Sequence, residues 1–314
     1  MNKILALLLL FSGAAFAQPY PNKPIRMLVA FAPGGPVDII ARLVGPKLSE
    51  ALGQPVVVEN KLGASGNVAT ADVAKSAPDG YTLLAHSSAY AVNPTLFRNP
   101  GYDPKDLLPI AIVASQANLV LVNASFPART LDELRQQLKS GKFGYASPGA
   151  GTTPHLTAEN LFNVTSNLDV TAIHFRGAGP SAAAVVGGEP RIGAGAVSTP
   201  LPFVKSGKLR ALAVSSSARI AALPDVPTFA EAGFPGVEDY TWIAAFLPAG
   251  TSPAIVQRLN EACNQALQSA DMRERLVALA FEPVGGTSQQ FSAYVKAEIA
   301  KWGKVVREGN IKAE

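Results

Sequence analysis

Four times in this sequence a short apolar run ends at Gly or Thr and a proline follows: Gly35-Pro36, Thr153-Pro154, Gly179-Pro180 and Thr199-Pro200. Proline suits the first turn of a helix, because the N–H it lacks would have no acceptor there, and a small or hydroxyl residue before it can cap the turn. Each junction therefore predicts a strand that gives way directly to a helix. Such a junction leaves backbone N–H groups unpaired at the positive end of the helix dipole, which suits a carboxylate or a phosphate. The pattern points to anion capture more clearly than to catalysis.

Around these junctions apolar runs alternate with amphipathic stretches, the order expected of α/β domains whose parallel sheets are covered on both faces. Strands are predicted over 25–31, 56–59, 81–85, 110–114, 119–122, 144–146, 170–175, 192–197, 209–214 and 241–247, and helices start at Pro36, Val68, Thr130, Pro154, Pro180, Pro200, Pro253 and Gln289. A chain of 314 residues predicts two domains, since domains run to roughly 100–200 residues. Strand ends and helix starts of the two halves would face each other, where ligands of open α/β sheets bind.

The opening residues have the three parts of a secretory signal peptide: basic Lys3, an apolar run over 4–11, and Ala15-Phe16-Ala17. Cleavage is expected after Ala17, which places the mature protein in the periplasm; the apolar run is well short of the roughly 20 residues of a spanning helix. Cys263 is the only cysteine, so no intramolecular disulfide forms. It falls on one helical stripe with Ile255, Leu259, Ala266 and Leu267 and reads as a buried small hydrophobe. The net charge of +4 is dispersed along the chain, without the basic patch that a nucleic-acid binder needs.

Enzyme signatures are missing from the sequence. There is no phosphate loop, nucleophile elbow, H-E-x-x-H or CxxC, and the glycine clusters 149–151 and 177–179 lack the third glycine of a dinucleotide fingerprint. No cofactor and no metal are expected. His86, His155 and His174, the only histidines, each fall at a strand end or helix start. Separate local hydrogen-bonding roles are expected for them, because no pair has ligand spacing. Two rivals stay open: a secreted hydrolase with Ser87 or Thr153 as nucleophile beside a histidine, and a metal receptor built from the three imidazoles.

Two loops carry the binding chemistry. The first, over 31–38, contains Phe31, Ala32, Pro33 and Gly34 and is glycine-rich enough for close backbone approach. Asp38 reads as a cap for first-turn N–H groups, with ligand contact as the alternative. The second loop holds Ser147, Ala150, Gly151, Thr152, Thr153 and His155, combining flexible glycines, hydroxyls and a fresh helix start. Thr153 is expected to cap that helix. Ser87 and Ser88 sit just past a predicted strand, where they serve the ligand or the turn. Arg176, beside Gly177, is either a solvated surface residue or a charge-assisted partner for an anion.

The wording of several segments is recognisable. The stretches 31–35 with Asp38, Ala41 and Arg42, then 52–60, 78–84, 207–214, 223–228 with Glu231-Ala232-Gly233, and 248–251 run in order through the chain. In these the sequence closely resembles the periplasmic solute-binding receptors of tripartite tricarboxylate transporters, the Bug family. The resemblance implies a two-domain Venus flytrap of the type II-like class, crossed twice by the chain, with domain 1 near 24–122 plus 240–314 and domain 2 at 123–239. It implies a monomer that closes on a small carboxylate and delivers it to membrane permease subunits. The loops matching 31–38 and 147–155 would pinch one carboxylate, partly through ordered waters. A periplasmic sensor component is the alternative that binding and closing would also serve.

One departure from the family bears on the ligand. Where the family often has an acidic Phe-Asp pair after Gly187-Gly188, this chain has Ala194-Gly195, and Arg191 stands where another acid is frequent. Loss of a carboxylate near Arg176 and His174 favours a second anionic group there. The small residues Gly193, Gly195 and Ala196 are expected to leave room for a flat body. The expectation is a dicarboxylate, with aromatic and aliphatic bodies both open, its far end near Arg176, His174, Ser198 and Thr199.

Overall fold

The computed structural model describes residues 20–313; the expected signal peptide and its cleavage site lie outside the described residues. In chain order the elements are β1 (Ile25–Val29), α1 (Pro36–Leu52), β2 (Val56–Asn60), α2 (Asn67–Ala74), β3 (Thr82–Ser87), α3 (Ala89–Leu96), β4 (Leu107–Asn123), α4 (Leu131–Leu138), β5 (Phe143–Ser147) and α5 (Thr153–Glu159). Then follow β6 (Val170–His174), α6 (Ala178–Gly187), β7 (Ile192–Ala196), α7 (Leu201–Lys205), β8 (Leu209–Val214), β9 (Tyr240–Pro248), α8 (Pro253–Gln268), α9 (Ala270–Ala278), β10 (Glu282–Pro283) and α10 (Ser288–Glu308). A π-helical stretch over Asn160–Thr165 continues α5.

Helix α1 shows how local chemistry sets an element. Gly35 is extended before Pro36, and Gly53 stops the helix in the left-handed conformation at φ 70°, returning its N–H to the Ser49 carbonyl. Ile40, Val44, Leu48 and Leu52, spaced by four, all turn into the core. In β1, Ile25, Met27 and Val29 pack with α1 and α8, while Leu28 packs against the opposite face with α2, α3 and α10. Both faces of the sheet are therefore covered, as a parallel sheet requires.

One strand ties two sheets together. In the first, β2, β1 and β3 are parallel, and β9 runs antiparallel to β3. Residues Leu107 to Ala117 of β4 pair with β9, and residues Asn118 to Asn123 pair with β7 and β8 of the second sheet, where β5, β6 and β7 are parallel. The second lobe has its own core, with Val120 and Val122 of β4 facing α4 and α5 and Leu119 and Leu121 facing α6 and α7. The strands predicted at 110–114 and 119–122 are thus one 17-residue strand. Its polar middle, Gln116 and Asn118, is buried rather than looped out. The sheets are also mixed rather than purely parallel, and α3 and α9 were not expected.

Candidate functional site

Between the lobes a cleft is lined by Phe31, Gly35, Pro36, Val37, Ser87, Pro148, Thr152, Thr153, Pro154, Ala178, Ala196 and Thr241. None of these side chains is charged, and most are apolar. Three helix starts converge on it. In α1 the first intrahelical bond is Ile39 N–H to Gly35 O, so the N–H groups of Val37 and Asp38 precede it. In α5 that first bond is Leu156 N–H to Thr152 O, and in α6 it is Ser181 N–H to Gly177 O. The space reachable by water centres is about 30 Å3, room for about two waters. A six-carbon acid needs the lobes to part before it can enter.

The lobes touch on both sides of this space. Ser65 Oγ donates to Ala150 O at 2.5 Å, and Thr199 Oγ1 donates to Gly34 O at 3.4 Å. At Gly177 an added Cβ would stand 3.0 Å from the Ala32 Cβ, and at Gly179 one would stand 3.2 Å from the Pro33 carbonyl. Glycine at these two positions lets the start of α6 close against the first loop. Ala32, Pro33 and Gly34 therefore serve the contact between lobes.

The first loop is braced by charge. Asp38 Oδ2 accepts from the Gly34 N–H at 3.0 Å, and its Oδ1 accepts from Arg42 Nε and Asn60 Nδ2, each at 2.9 Å. The expected first-turn cap is corrected: the carboxylate holds the N–H of Gly34, two residues before the helix and at φ 76°, while the N-cap Gly35 has no side-chain cap. Burial would raise the Asp38 pKa, but Arg42, the Gly34 N–H and Asn60 together hold it below its ordinary value. Asn60 Nδ2 also donates to Phe31 O at 2.9 Å, fixing the aromatic that lines the cleft.

The second loop is braced without charge. The Gly151 N–H donates to His155 Nδ1 at 3.1 Å, so that ring carries its proton on Nε2, 3.7 Å from Glu159 Oε1. Burial, then the His174 ring 4.7 Å away, push the His155 pKa down to about 3. His174 Nδ1 lies 3.1 Å from Ser147 Oγ. His86 donates from Nδ1 to Ser87 O at 2.9 Å, packs edge-on against Phe31 and Tyr90, and is pushed by burial to about 4. Among the described residues no cluster of three or more His, Cys, Asp or Glu could hold a metal ion.

Thr153 does not cap its helix. Thr152 is the N-cap, without a side-chain cap bond, and its Oγ1 donates to Gly149 O at 2.8 Å. Thr153 Oγ1 instead lies 2.6 Å from Thr241 Oγ1 and 2.9 Å from Ser88 Oγ. Thr241 donates onward to Asn118 Oδ1 at 2.6 Å, and Asn118 Nδ2 donates to Asp239. Because Thr241 has one proton and spends it on Asn118, Thr153 must donate to Thr241 and accept from Ser88. This buried relay joins the second loop to β4 and β9, the two strands that span the lobes. Burial raises the Asp239 pKa to about 6, against the lowering by Thr157 and Asn118.

Other expected residues fall in different places. Ser87 is the last residue of β3 and lines the cleft. Its Oγ accepts from the Ala89 N–H at 3.4 Å, and neither it nor Thr153 Oγ1 has an imidazole partner. Ser147 is fully buried within its own lobe, while Ala150 and Gly151 carry the second loop's contact with the other lobe, outside the cleft lining. Arg176 is exposed and outside the cleft lining, and His174 faces the same surface. At Gly193 the expected room is filled, since a Cβ would stand 2.7 Å from Val185 Cγ2; at Gly195 a Cβ would make an ordinary contact 3.7 Å from Pro200 Cγ, and both glycines line a small separate pocket with Val185 and Pro200. Only Ala196 of that group reaches the cleft. Sequence reasoning missed Gln116, Asn118, Asp239 and Thr241; their one local signal is the period-two placement of polar residues in β4 and β9.

Comparison with known proteins agrees with this geometry. Residues 40–311 match the family model described as Tripartite tricarboxylate transporter family receptor. Protein BugT of Bordetella pertussis (strain Tohama I) is 36% identical over 323 residues, covering 99% of each chain. The structure of R. palustris Rpa4515 with adipate superposes with a TM-score of 0.90 at 33% identity, covering 93% of this chain and 99% of that one. MatC (Rpa3494) from Rhodopseudomonas palustris with bound malate gives 0.85 at 32% identity, over 91% and 100%. The fold is the two-domain periplasmic binding-protein fold of these structures, and the chain belongs to the receptor family of the tripartite tricarboxylate transporters, in its Bug branch.

Proposed function

We propose that this protein is a periplasmic receptor that captures a small carboxylate between its lobes and delivers it to the membrane subunits of a tripartite tricarboxylate-type transporter. The observation that carries the reading is the convergence of three helix starts on a cleft without charged side chains. Backbone N–H groups there would hold one carboxylate, with the helix dipoles aligned to favour it. The two structural neighbours bound to adipate and malate support the class of ligand.

A dicarboxylate is the preferred ligand, with an apolar or aromatic body against Phe31, Pro36, Val37 and Pro154, which line the cleft. Amino acids are disfavoured, because an ammonium group would find no carboxylate in that lining. For the lobes we propose the division 24–122 plus 240–314 and 123–239, with β4 and β9 as the hinge strands; the change of partners along β4 supports it. The protein would act as a monomer without a cofactor. No helix among the described residues is long and apolar enough to cross a membrane.

Calorimetric titration against aromatic dicarboxylates, aliphatic di- and tricarboxylates and amino acids tests the reading. Saturable heat is expected from a dicarboxylate and none from amino acids. Indifference to every carboxylate would refute it.

A further inference from the structure

Backbone N–H groups account for one end of a ligand. At the hinge end of the cleft floor, two buried side chains have hydrogen-bonding groups to spare. Gln116 is 1% exposed and Ser198 is 2% exposed. The Ser198 N–H donates to Gln116 Oε1 at 2.7 Å. An N–H needs an acceptor, so this bond fixes the amide's orientation and turns Nε2 away from it. Neither Gln116 Nε2 nor Ser198 Oγ has a partner among the described residues. A buried amide left unpaired is costly enough that its presence asks for an occupant.

Strand register shows where these groups lie. Ser87 in β3 shares the cleft lining with Thr241 in β9. Ser87 stands opposite Ile243, two residues from Thr241, and Thr241 stands opposite Gln116 in β4. Residues in register, and residues two apart on one strand, share a face. Ser87, Thr241 and Gln116 therefore form a row across three strands on one face, with Ser87 and Thr241 lining the cleft and Gln116 next in the row beyond that lining. The alternate pair, Ser115 and Trp242, lines a groove on the opposite face. Ser198 follows Ala196, which lines the cleft, and its own N–H ties it over Gln116.

We propose that Gln116 Nε2 and Ser198 Oγ form the distal pole of the cleft and read an oxygen acceptor on the ligand, its second carboxylate, through uncharged hydrogen bonds. The proposal rests on the carboxylate reading above and assigns the far end to these two groups instead of Arg176. Gln116 Nε2 is a donor only, so a ligand ammonium, also a donor only, finds no partner in the amide; the Ser198 hydroxyl can accept from it but brings no negative charge. An acid whose far end is a methyl group leaves the amide unpaired and binds more weakly.

The test is calorimetry with two matched pairs, terephthalate against benzoate and adipate against hexanoate. The wild type is expected to bind at least one diacid about tenfold or more tighter than its monoacid. Gln116→Met and the milder Ser198→Ala should each cut that preference about fivefold with monoacid affinity unchanged; Ser198→Ala should also leave the melting curve of the free protein unchanged, whereas Gln116→Met removes the acceptor of the Ser198 N–H and lowers it. Equal weakening of both members of a pair would overturn the proposal and leave a structural water as the partner of Gln116. Binding of monoacids alone would overturn the pole but leave the carboxylate reading standing. Where none of the four binds, the comparison is made on the tightest diacid of the wider panel and its monoacid; absence of binding by every carboxylate in that panel would fail the carboxylate reading itself, and the pole with it.

Discussion

The two loops of the cleft use the same backbone device to opposite ends. Gly34 in the first and Gly151 in the second both sit at φ 76°. A Cβ added at Gly34 would meet nothing within 4 Å, whereas one at Gly151 would stand 2.6 Å from Leu96 Cδ2 and 3.2 Å from Asn93 Oδ1 of the other lobe. The brace differs as well, a carboxylate with an arginine behind the first loop and a neutral imidazole behind the second. The first loop is braced by charge within its own lobe and meets the other at the Gly34 carbonyl and Ala32, leaving the space beside the Gly34 Cα open. The second loop reports closure, because its glycine has space only if nothing grows between the lobes.

The sharpest way to break this contrast is to add one methyl group to each loop. Alanine in the left-handed region costs roughly 1–2 kcal/mol at either site, so the difference between them isolates the clash with Leu96. Gly151→Ala should weaken the best carboxylate by about tenfold or more beyond Gly34→Ala, as read by calorimetry. Equal losses would show that the second loop does not sense closure.

Removing the charged brace should be felt in stability. Asp38→Ala leaves the Gly34 N–H, Asn60 and Arg42 without their acceptor and should lower unfolding free energy by about 2–3 kcal/mol. Denaturant melts that showed no loss would remove Asp38 from the loop's support.

The pH response should separate the braces next. His155, about 3 when folded against 6.5 ordinarily, contributes stability that is present above pH 6.5 and lost as pH falls toward 3. His86, at about 4, acts in the same direction. Asp38 is lowered instead from its ordinary 3.8, so its contribution persists until the pH drops below that value. Asp239 opposes the histidines: raised to about 6, it contributes stability below 3.8 that is lost as pH rises through 6. His155→Asn should therefore flatten the fall in Tm between pH 6.5 and 4, and an unchanged slope would contradict the buried neutral ring. The smallest expected effect is at Arg176, exposed and outside the lining; Arg176→Ala should change diacid affinity less than about twofold. A loss confined to diacids would restore it as the distal partner.

How much of this was legible in the sequence follows from range. The boundaries of α1 are written locally, by Pro36 at one end and Gly53 at the other, and both loops were found from their own glycine, proline and hydroxyl content. The antiparallel return of β9 beside β3 has no local signature, because alternation gives the face of a strand and not its direction. Gln116 and Asn118 looked like a break in β4 because polar residues rarely fill a buried strand centre. They are tolerated because Ser198, Thr241 and Asp239 supply partners, from as far as 123 residues away along the chain. Thr153 was read as a cap because its neighbour Thr241 could not be seen from its own stretch of chain.

In the proposed function an uncharged cleft takes an anion through backbone N–H groups at converging helix starts. The most direct test is calorimetric titration of the tightest-binding acid from the panel beside its primary amide, which has the same shape and no charge. The account predicts saturable binding of the acid and at least about a hundredfold weaker binding of the amide. Equal binding of the two would contradict it.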